Sequence, residues 1–258
     1  MTGPTKRSSD FVQSLERGLA VIRAFSADTP ELTLSEVARA TGLTRAAARR
    51  FLHTLVELGY VRTDSRLFAL RPRVLELGYA YLSSLSLPQI AEPHMEQLVE
   101  KIHESCSVSI LDGDHIVYVA RVPTKRIMTV AISVGTRFPA YATSMGRVLL
   151  AHQNAAWLDE YLERGEFKPL TPYTTTDPKE LATELARVRA QGYCLVDQEL
   201  EEGLRSIAVP ILDGSARVVA AMNVSAHISR GSATAIRQEL LPALQQTAAE
   251  VSADLAAQ

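Results

Sequence analysis

Cysteine is nearly absent from this chain: two in 258 residues, Cys106 and Cys194, without metal-ligand spacing and too few for a disulfide framework. No apolar run approaches the length that spans a bilayer, and the start MTGPTKRSSD lacks the apolar core of a signal peptide. Cytoplasm is the expected compartment, with no membrane partner. Also missing are a Gly-rich phosphate loop, a G-x-S-x-G elbow, an H-E-x-x-H or H-x-x-E-H helix, and a Cys-His pair at suggestive spacing. Catalytic residues, metals and cofactors are therefore not expected.

Charge is small overall, −2, but unevenly placed. Residues 1–73 hold 12 Lys+Arg against 7 Asp+Glu, which leaves 15 against 22 for the rest out of totals of 27 and 29. A basic module on an acidic body is what a nucleic-acid contact needs.

Within the basic part, TLSEVARATGLTRAAARRFLHTLVEL (Thr33 to Leu58) reads as two short helices around a glycine turn. Thr33 with Glu36 forms a capping box, Gly42 ends the first helix, and Thr44 caps the second. Leu43, Ala47, Phe51, Leu55 and Leu58 make the expected buried stripe, with Arg45, Arg49 and His53 facing solvent. A solvated arginine face is commonly a solubility device. Here a hairpin follows directly: Tyr60-Val61-Arg62, the turn Thr63-Asp64-Ser65-Arg66, then Leu67 to Leu70. Helix, turn, helix and wing in this order define a winged helix-turn-helix, whose second helix enters the major groove of double-stranded operator DNA. Thr44, Arg45, Ala46 and Arg49 are the expected base-side residues. Thr33, Ser35, Arg50, His53 and Arg62 complete the expected contact surface. Ahead of it, Phe11, Leu15, Leu19, Ile22 and Phe25 space a supporting helix.

Residues 72–88 read as a linker helix with more apolar surface than one packed face requires, so Tyr79, Tyr81, Leu82 and Leu85 are expected to bury against a second chain. A homodimer is the expected assembly, with pairing of dimers into a tetramer left open. Residues 89–258 alternate helices and strands in the manner of an α+β domain. Expected helices are Ala91–Ser105, Thr143–His152, Trp157–Arg164, Asp177–Gln191 and Ala233–Ala257. Expected strands are Ser107–Leu111, His115–Arg121, Thr129–Val134, Tyr193–Asp197, Ser206–Leu212 and Val218–Ser225.

SLERGLAVIRAF, ATSMGRVLLA and VDQELEEGLRSIAVPILDG, in this order, resemble the IclR family of bacterial transcriptional regulators, over nearly the whole chain. DFVQSLERGLAVIRAF, GLTRAAARRFLHTL and VDQELEEGLRSIAVP are similar to its Pca/Pob-type members, which control the β-ketoadipate pathway of aromatic acid catabolism. The resemblance implies a winged helix-turn-helix over 10–71, the linker helix, and a GAF-like effector-binding domain over 89–258. Its implied pocket is Thr143, Ser144, Met145 and Gly146 at a helix start, Asp197, Ser206 on one strand, and Asn223 and Ser225 on the next. One departure is visible: the acidic position that many members have four residues after the glycine of Gly192-Tyr193 is Val196, with Asp197 beside it. A small carboxylic acid, protocatechuate or β-ketoadipate, is the implied effector.

The residue types suit that role, since a helix N-terminus attracts anions and Ser206, Asn223 and Ser225 offer hydrogen bonds without a neutralising charge. Met145, Ile207 and Met222 are available as apolar walls, and Arg121, Arg137 and Arg205 are three candidate carboxylate clamps among which the sequence does not choose. Two other classes compete: an enzyme acting on small organic acids with a fused DNA-binding module, for which Asp197 and Glu199 are the nearest paired carboxylates, and a structural DNA-bridging protein.

Overall fold

In the computed structural model the chain divides into two compact units, Met1–Ser84 and Leu85–Gln258. The structure describes residues 10–26, 28–78, 86–124 and 132–257.

The N-terminal unit runs α1 (Gln13–Arg23), β1 (Glu31–Thr33), α2 (Leu34–Thr41), α3 (Arg45–Glu57), β2 (Val61–Thr63) and β3 (Leu67–Leu70). Local chemistry sets the breaks. The Glu36 carboxylate accepts the Thr33 backbone N–H at 2.8 Å while Thr33 Oγ1 accepts the Glu36 N–H, a reciprocal cap. Gly42 ends α2 at φ 66°, a left-handed conformation that costs a side chain energy. Thr44 then opens α3 by accepting the Ala47 N–H at 3.2 Å. β3 lies between β1 and β2, antiparallel to both, so the wing forms where the sequence places it. β1, three residues long, gives no periodic signal of its own.

Two apolar stripes differ from expectation. In α3 the fully buried line is Ala48, Leu52 and Leu55, with Phe51 on its flank; Leu58 is exposed because it is the C-cap, where the chain turns towards β2. Along the stripe expected for α1, Val21 and, just past the helix, Phe25 are buried, but Phe11 ahead of it and Leu15 and Leu19 within it are exposed. Gly18 lies beside the Phe51 ring of α3, which stands 3.8 Å from where a Cβ would be, an ordinary contact distance.

After β3 comes a 3-10 turn at Pro72–Leu75 and helical residues at 76–78. Tyr79, Tyr81, Leu82 and Leu85, on which the expected dimer helix rests, lie outside the described residues. The next helix, α4 (Ser86–Ile102), begins five residues before the expected Ala91, because Pro88 is tolerated in a first helical turn.

The C-terminal unit continues with β4 (Ser105–Asp112), β5 (His115–Val122), β6 (Arg137–Pro139), α5 (Ser144–Ala151), α6 (Ala155–Arg164), α7 (Pro178–Gln191), β7 (Cys194–Asp197), β8 (Leu204–Leu212), β9 (Val218–His227) and α8 (Ala233–Ala256). The six strands form one antiparallel sheet in the order β6-β5-β4-β9-β8-β7. Of the strand expected over Thr129–Val134, residues 129–131 lie outside the described set and 132–134 are not extended in a ladder; β6 follows instead. Alternation along the strands separates two cores. Met222, Val224, Ile207 and Val209 face α4 and α8, whereas Tyr118, Ala208, Ala221 and Val196 face α5. The second face carries the cleft described next.

Candidate functional site

On α3 the side chains of Arg45, Ala46, Arg49, Arg50 and His53 are exposed, on the side opposite Ala48, Leu52 and Leu55. No acidic residue occupies the first turn, so nothing there opposes a phosphate at the positive end of the helix dipole. His53 packs edge-on against Phe68 of the wing, ring centroids 6.3 Å apart. Ser35 is exposed, while Thr33 and Thr44 are engaged as helix caps. Arg62 is held by Glu31 of β1 at 2.7 Å, an exposed pair in water. In the wing turn Asp64 accepts the Leu67 and Arg66 N–H groups, and those bonds hold its carboxyl below the usual range. Arg66 is exposed at this turn and adds a cation that the sequence reading did not assign to the contact surface.

In the C-terminal unit Thr143 caps α5 by accepting the Gly146 N–H at 3.0 Å. Ser144 follows, its hydroxyl 2.7 Å from that of Ser206 on β8. The Asn223 amide on β9 donates to Ser206 at 2.8 Å and to Ser225 at 3.1 Å, and the two serine hydroxyls are 3.2 Å apart. Four residues from three separate elements thus share one buried polar cluster. Its accounts do not close: Asn223 Oδ1 is buried without a hydrogen-bond partner among the described residues. An open acceptor at this place can receive a hydrogen bond from a donor entering the cleft.

The cluster lines a cleft whose other walls are Tyr118, Ile132, Ala142, Val196, Leu200 and Leu204, with about 20 Å³ of open space. Burial pushes the Tyr118 phenol up to about 12, so it is neutral near pH 7. The wall contains no carboxylate among the described residues, because the position facing inward on β7 is Val196. Asp197, expected in the pocket, points to the opposite face of the sheet, where Arg205 donates to it at 2.8 Å. Met145, expected at the site, is instead a core residue that accepts a hydrogen bond from Ser109 at 3.2 Å. Ile207 and Met222, expected as walls, alternate with Ser206 and Asn223 and so belong to the other core. Gly146 serves packing: a Cβ there would stand 2.1 Å from the Ala140 carbonyl oxygen.

Behind α5, Arg147 donates to both carboxylate oxygens of Glu199, at 2.7 and 2.5 Å, and to the Tyr141 carbonyl at 2.7 Å. Glu199 also accepts the Thr175 N–H at 2.8 Å. The loop carrying Leu200 is thereby tied to the helix carrying Ser144. Sequence spacing gives no sign of this, since Glu199 lies in the acidic run Glu199, Glu201, Glu202 and looks like a solvated loop. A wider recess of about 420 Å³, bordered by Tyr141, Tyr161, Phe167 and the Arg164–Asp114 pair, is also absent from the sequence reading.

A basic helix-turn-helix joined to a sheet with a small polar cleft defines a ligand-responsive DNA-binding regulator. The chain belongs to the IclR family: the IclR helix-turn-helix domain matches residues 14–65, and the bacterial transcriptional regulator IclR C-terminal domain matches 79–253. It is a regulator and not an enzyme. The Pca regulon regulatory protein of Pseudomonas putida is 49% identical over 236 residues, which are 91% of this chain and 81% of that protein. A crystal structure of a transcriptional regulator from Rhodococcus sp. RHA1 superposes with TM-score 0.85 at 59% identity, covering 96% of this chain and 99% of the other. An IclR homolog from Microbacterium hydrocarbonoxydans, crystallised with 4-hydroxybenzoate, has TM-score 0.84 at 26% identity, covering 95% of this chain and all of the other. Among the described residues no helix is long and apolar enough to cross a membrane.

Proposed function

We propose that this regulator senses a small carboxylic acid of aromatic catabolism, protocatechuate, 4-hydroxybenzoate or β-ketoadipate, and binds it unchanged in the cleft of Thr143, Ser144, Ser206, Asn223 and Ser225. The observation that carries this reading is the buried Oδ1 of Asn223, unpartnered among the described residues, within a polar cluster otherwise walled by apolar groups. The Pca-type relative and the hydroxybenzoate-bound neighbour support the ligand class. Ligand pockets commonly enclose about 300–1,000 Å³. The cleft must therefore widen to accept an acid, and a ligand that binds only the widened form shifts the population towards it. In this reading 10–71 holds DNA, 72–88 links, and 89–258 senses. Arg45 and Arg49 read base edges, while Arg50 and Arg62 hold phosphate. The exposed Leu15 and Leu19 of α1 agree with burial against a second copy in a homodimer.

Calorimetry of the full chain with each acid, followed by anisotropy of labelled DNA from beside its own gene, tests the proposal. Binding of an acid that is recovered unchanged and alters DNA affinity is the expected result. Absence of binding by all three acids overturns the effector class, and turnover of any of them overturns the sensor.

A further inference from the structure

Of three arginines near the sheet, two are already engaged. Arg137 is exposed and bound to Asp112. Arg205 lies on the face away from the cleft, bound to Asp197 and to the Gly231 carbonyl. Arg121 differs from both. It is half-buried, its Nη1 donates to Ser107 Oγ at 3.1 Å, and among the described residues no carboxylate pairs with it. Partial burial of an unbalanced charge is unfavourable unless a counter-charge arrives. Burial accordingly draws the guanidinium below its ordinary pKa, against the opposing influence of Tyr118 and Cys106.

Register places this charge. Arg121 on β5 is the cross-strand partner of Ser107 on β4, and Ser107 is the partner of Asn223 on β9. Directly opposed residues share a face, so the three form one row on the cleft side of the sheet. Two strand spacings, about 10 Å, separate its ends. Tyr118, which senses the Arg121 charge, lines the cleft beside them. At the far end of the row the Asn223 amide nitrogen donates to Ser206 and Ser225, and Oδ1 is a buried acceptor with no donor among the described residues.

We propose that the row reads both ends of the effector, with Arg121 binding its carboxylate and Asn223 Oδ1 accepting a hydrogen bond from its hydroxyl. The ligand class is then a hydroxy-substituted aromatic acid and not a keto dicarboxylate. This rests on the cleft reading above and sharpens it. A keto diacid ionised at both ends brings two anions to one guanidinium and offers nothing to Oδ1. A hydroxybenzoate presents one anion, one donor and a flat apolar body between them, matching Arg121, Asn223 and the Tyr118, Val196 and Leu204 walls.

The test is calorimetry on the full chain with 4-hydroxybenzoate, benzoate, 4-hydroxybenzamide and β-ketoadipate, alongside thermal melts. Wild type should bind 4-hydroxybenzoate roughly 10- to 100-fold more tightly than benzoate, which lacks the donor, or the amide, which lacks the charge. Arg121→Gln should bring the acid and the amide to equal affinity, and Asn223→Ala should do the same for the hydroxylated and plain acids. If Arg121→Gln fails to fold, the wild-type ratios and Asn223→Ala decide. Benzoate binding as tightly as 4-hydroxybenzoate, β-ketoadipate binding more tightly than it, or an unchanged acid-to-amide ratio in a folded Arg121→Gln would overturn the assignment while leaving the cleft in place. If wild type binds none of the four, the effector reading itself falls.

Discussion

Arg62 and Arg147 are each bound to a glutamate at 2.7 Å, yet the two pairs have opposite consequences. In the N-terminal unit Arg62 and Glu31 meet in water, and either side chain can leave for another partner. In the C-terminal unit Arg147 and Glu199 are almost fully enclosed, and each makes a further hydrogen bond, Arg147 to the Tyr141 carbonyl and Glu199 from the Thr175 N–H. The contrast follows what each unit does. A DNA surface needs cations that stay solvated until phosphate replaces water, whereas an enclosed charge is tolerated only with its counter-charge and hydrogen bonds in place.

The largest effect expected from breaking this contrast is on stability. Glu199→Gln removes one charge of an enclosed pair and leaves Arg147 uncompensated, which should cost about 3–5 kcal/mol. Glu31→Gln, at an exposed pair, should cost at most about 1 kcal/mol and release Arg62. Urea unfolding followed separately in each unit measures both. Equal losses would show that the Arg147 pair is better solvated than its geometry indicates.

Glycines extend the comparison. Gly146 is required by packing, since a Cβ would press on the Ala140 carbonyl from inside a closed core, so Gly146→Ala should destabilise by about 3 kcal/mol and disturb acid binding. Gly42 is required by its φ of 66° alone, with open space around it, and Gly42→Ala should cost only about 1–2 kcal/mol. Melting of the two variants, with acid titration of the first, would show whether the cleft helix tolerates displacement.

The same division decides how much the sequence reveals. Helix caps, the Gly42 turn and the arginine face of α3 are local patterns read within a few residues, and they appear where expected. The polar cleft assembles from positions 144, 206, 223 and 225, brought together by sheet register, and in the sequence only the family resemblance points to it. Register also defeats simple extrapolation: Asp197, Ile207 and Met222 are each one residue from a cleft-facing neighbour, and strand alternation sends all three to the other side. Glu199 was hidden for a related reason, because its partner lies 52 residues earlier in the chain.

DNA affinity should respond next. Arg45→Ala or Arg49→Ala should cost about 1–3 kcal/mol on the preferred sequence and relax preference at one base pair, whereas Arg50→Ala should weaken all sequences alike and lower the salt slope by about one. Glu31→Gln should strengthen binding slightly by freeing Arg62. Anisotropy titration across salt separates these outcomes, and unchanged affinity in both the Arg45 and Arg49 variants would show that α3 does not present this face to the groove.

The smallest effect is a pH signature that differs between the units. Glu36 is held below its ordinary pKa of 4.5 chiefly by the Thr33 backbone N–H, then by the Thr33 hydroxyl. A depressed carboxylate adds stability above its unfolded pKa and loses it as pH falls through the folded value, so the N-terminal unit should weaken below about pH 4.5. Buried acids in the C-terminal unit shift the other way. Burial raises Cys194 from 9.0 to about 12 and Tyr118 from 10.0 to about 12. The unfolded chain ionises these groups first, so the stability they contribute is complete below pH 9 and is lost between about 9 and 12. Melts at acid and alkaline pH, with probes in each unit, should therefore show an acid limb in the N-terminal unit to which Glu36 contributes and an alkaline limb in the C-terminal unit to which Cys194 and Tyr118 contribute. Glu36→Gln should flatten the acid limb and Cys194→Ala should shallow the alkaline one. Retention of both slopes in both variants would assign the pH dependence to groups elsewhere in the chain.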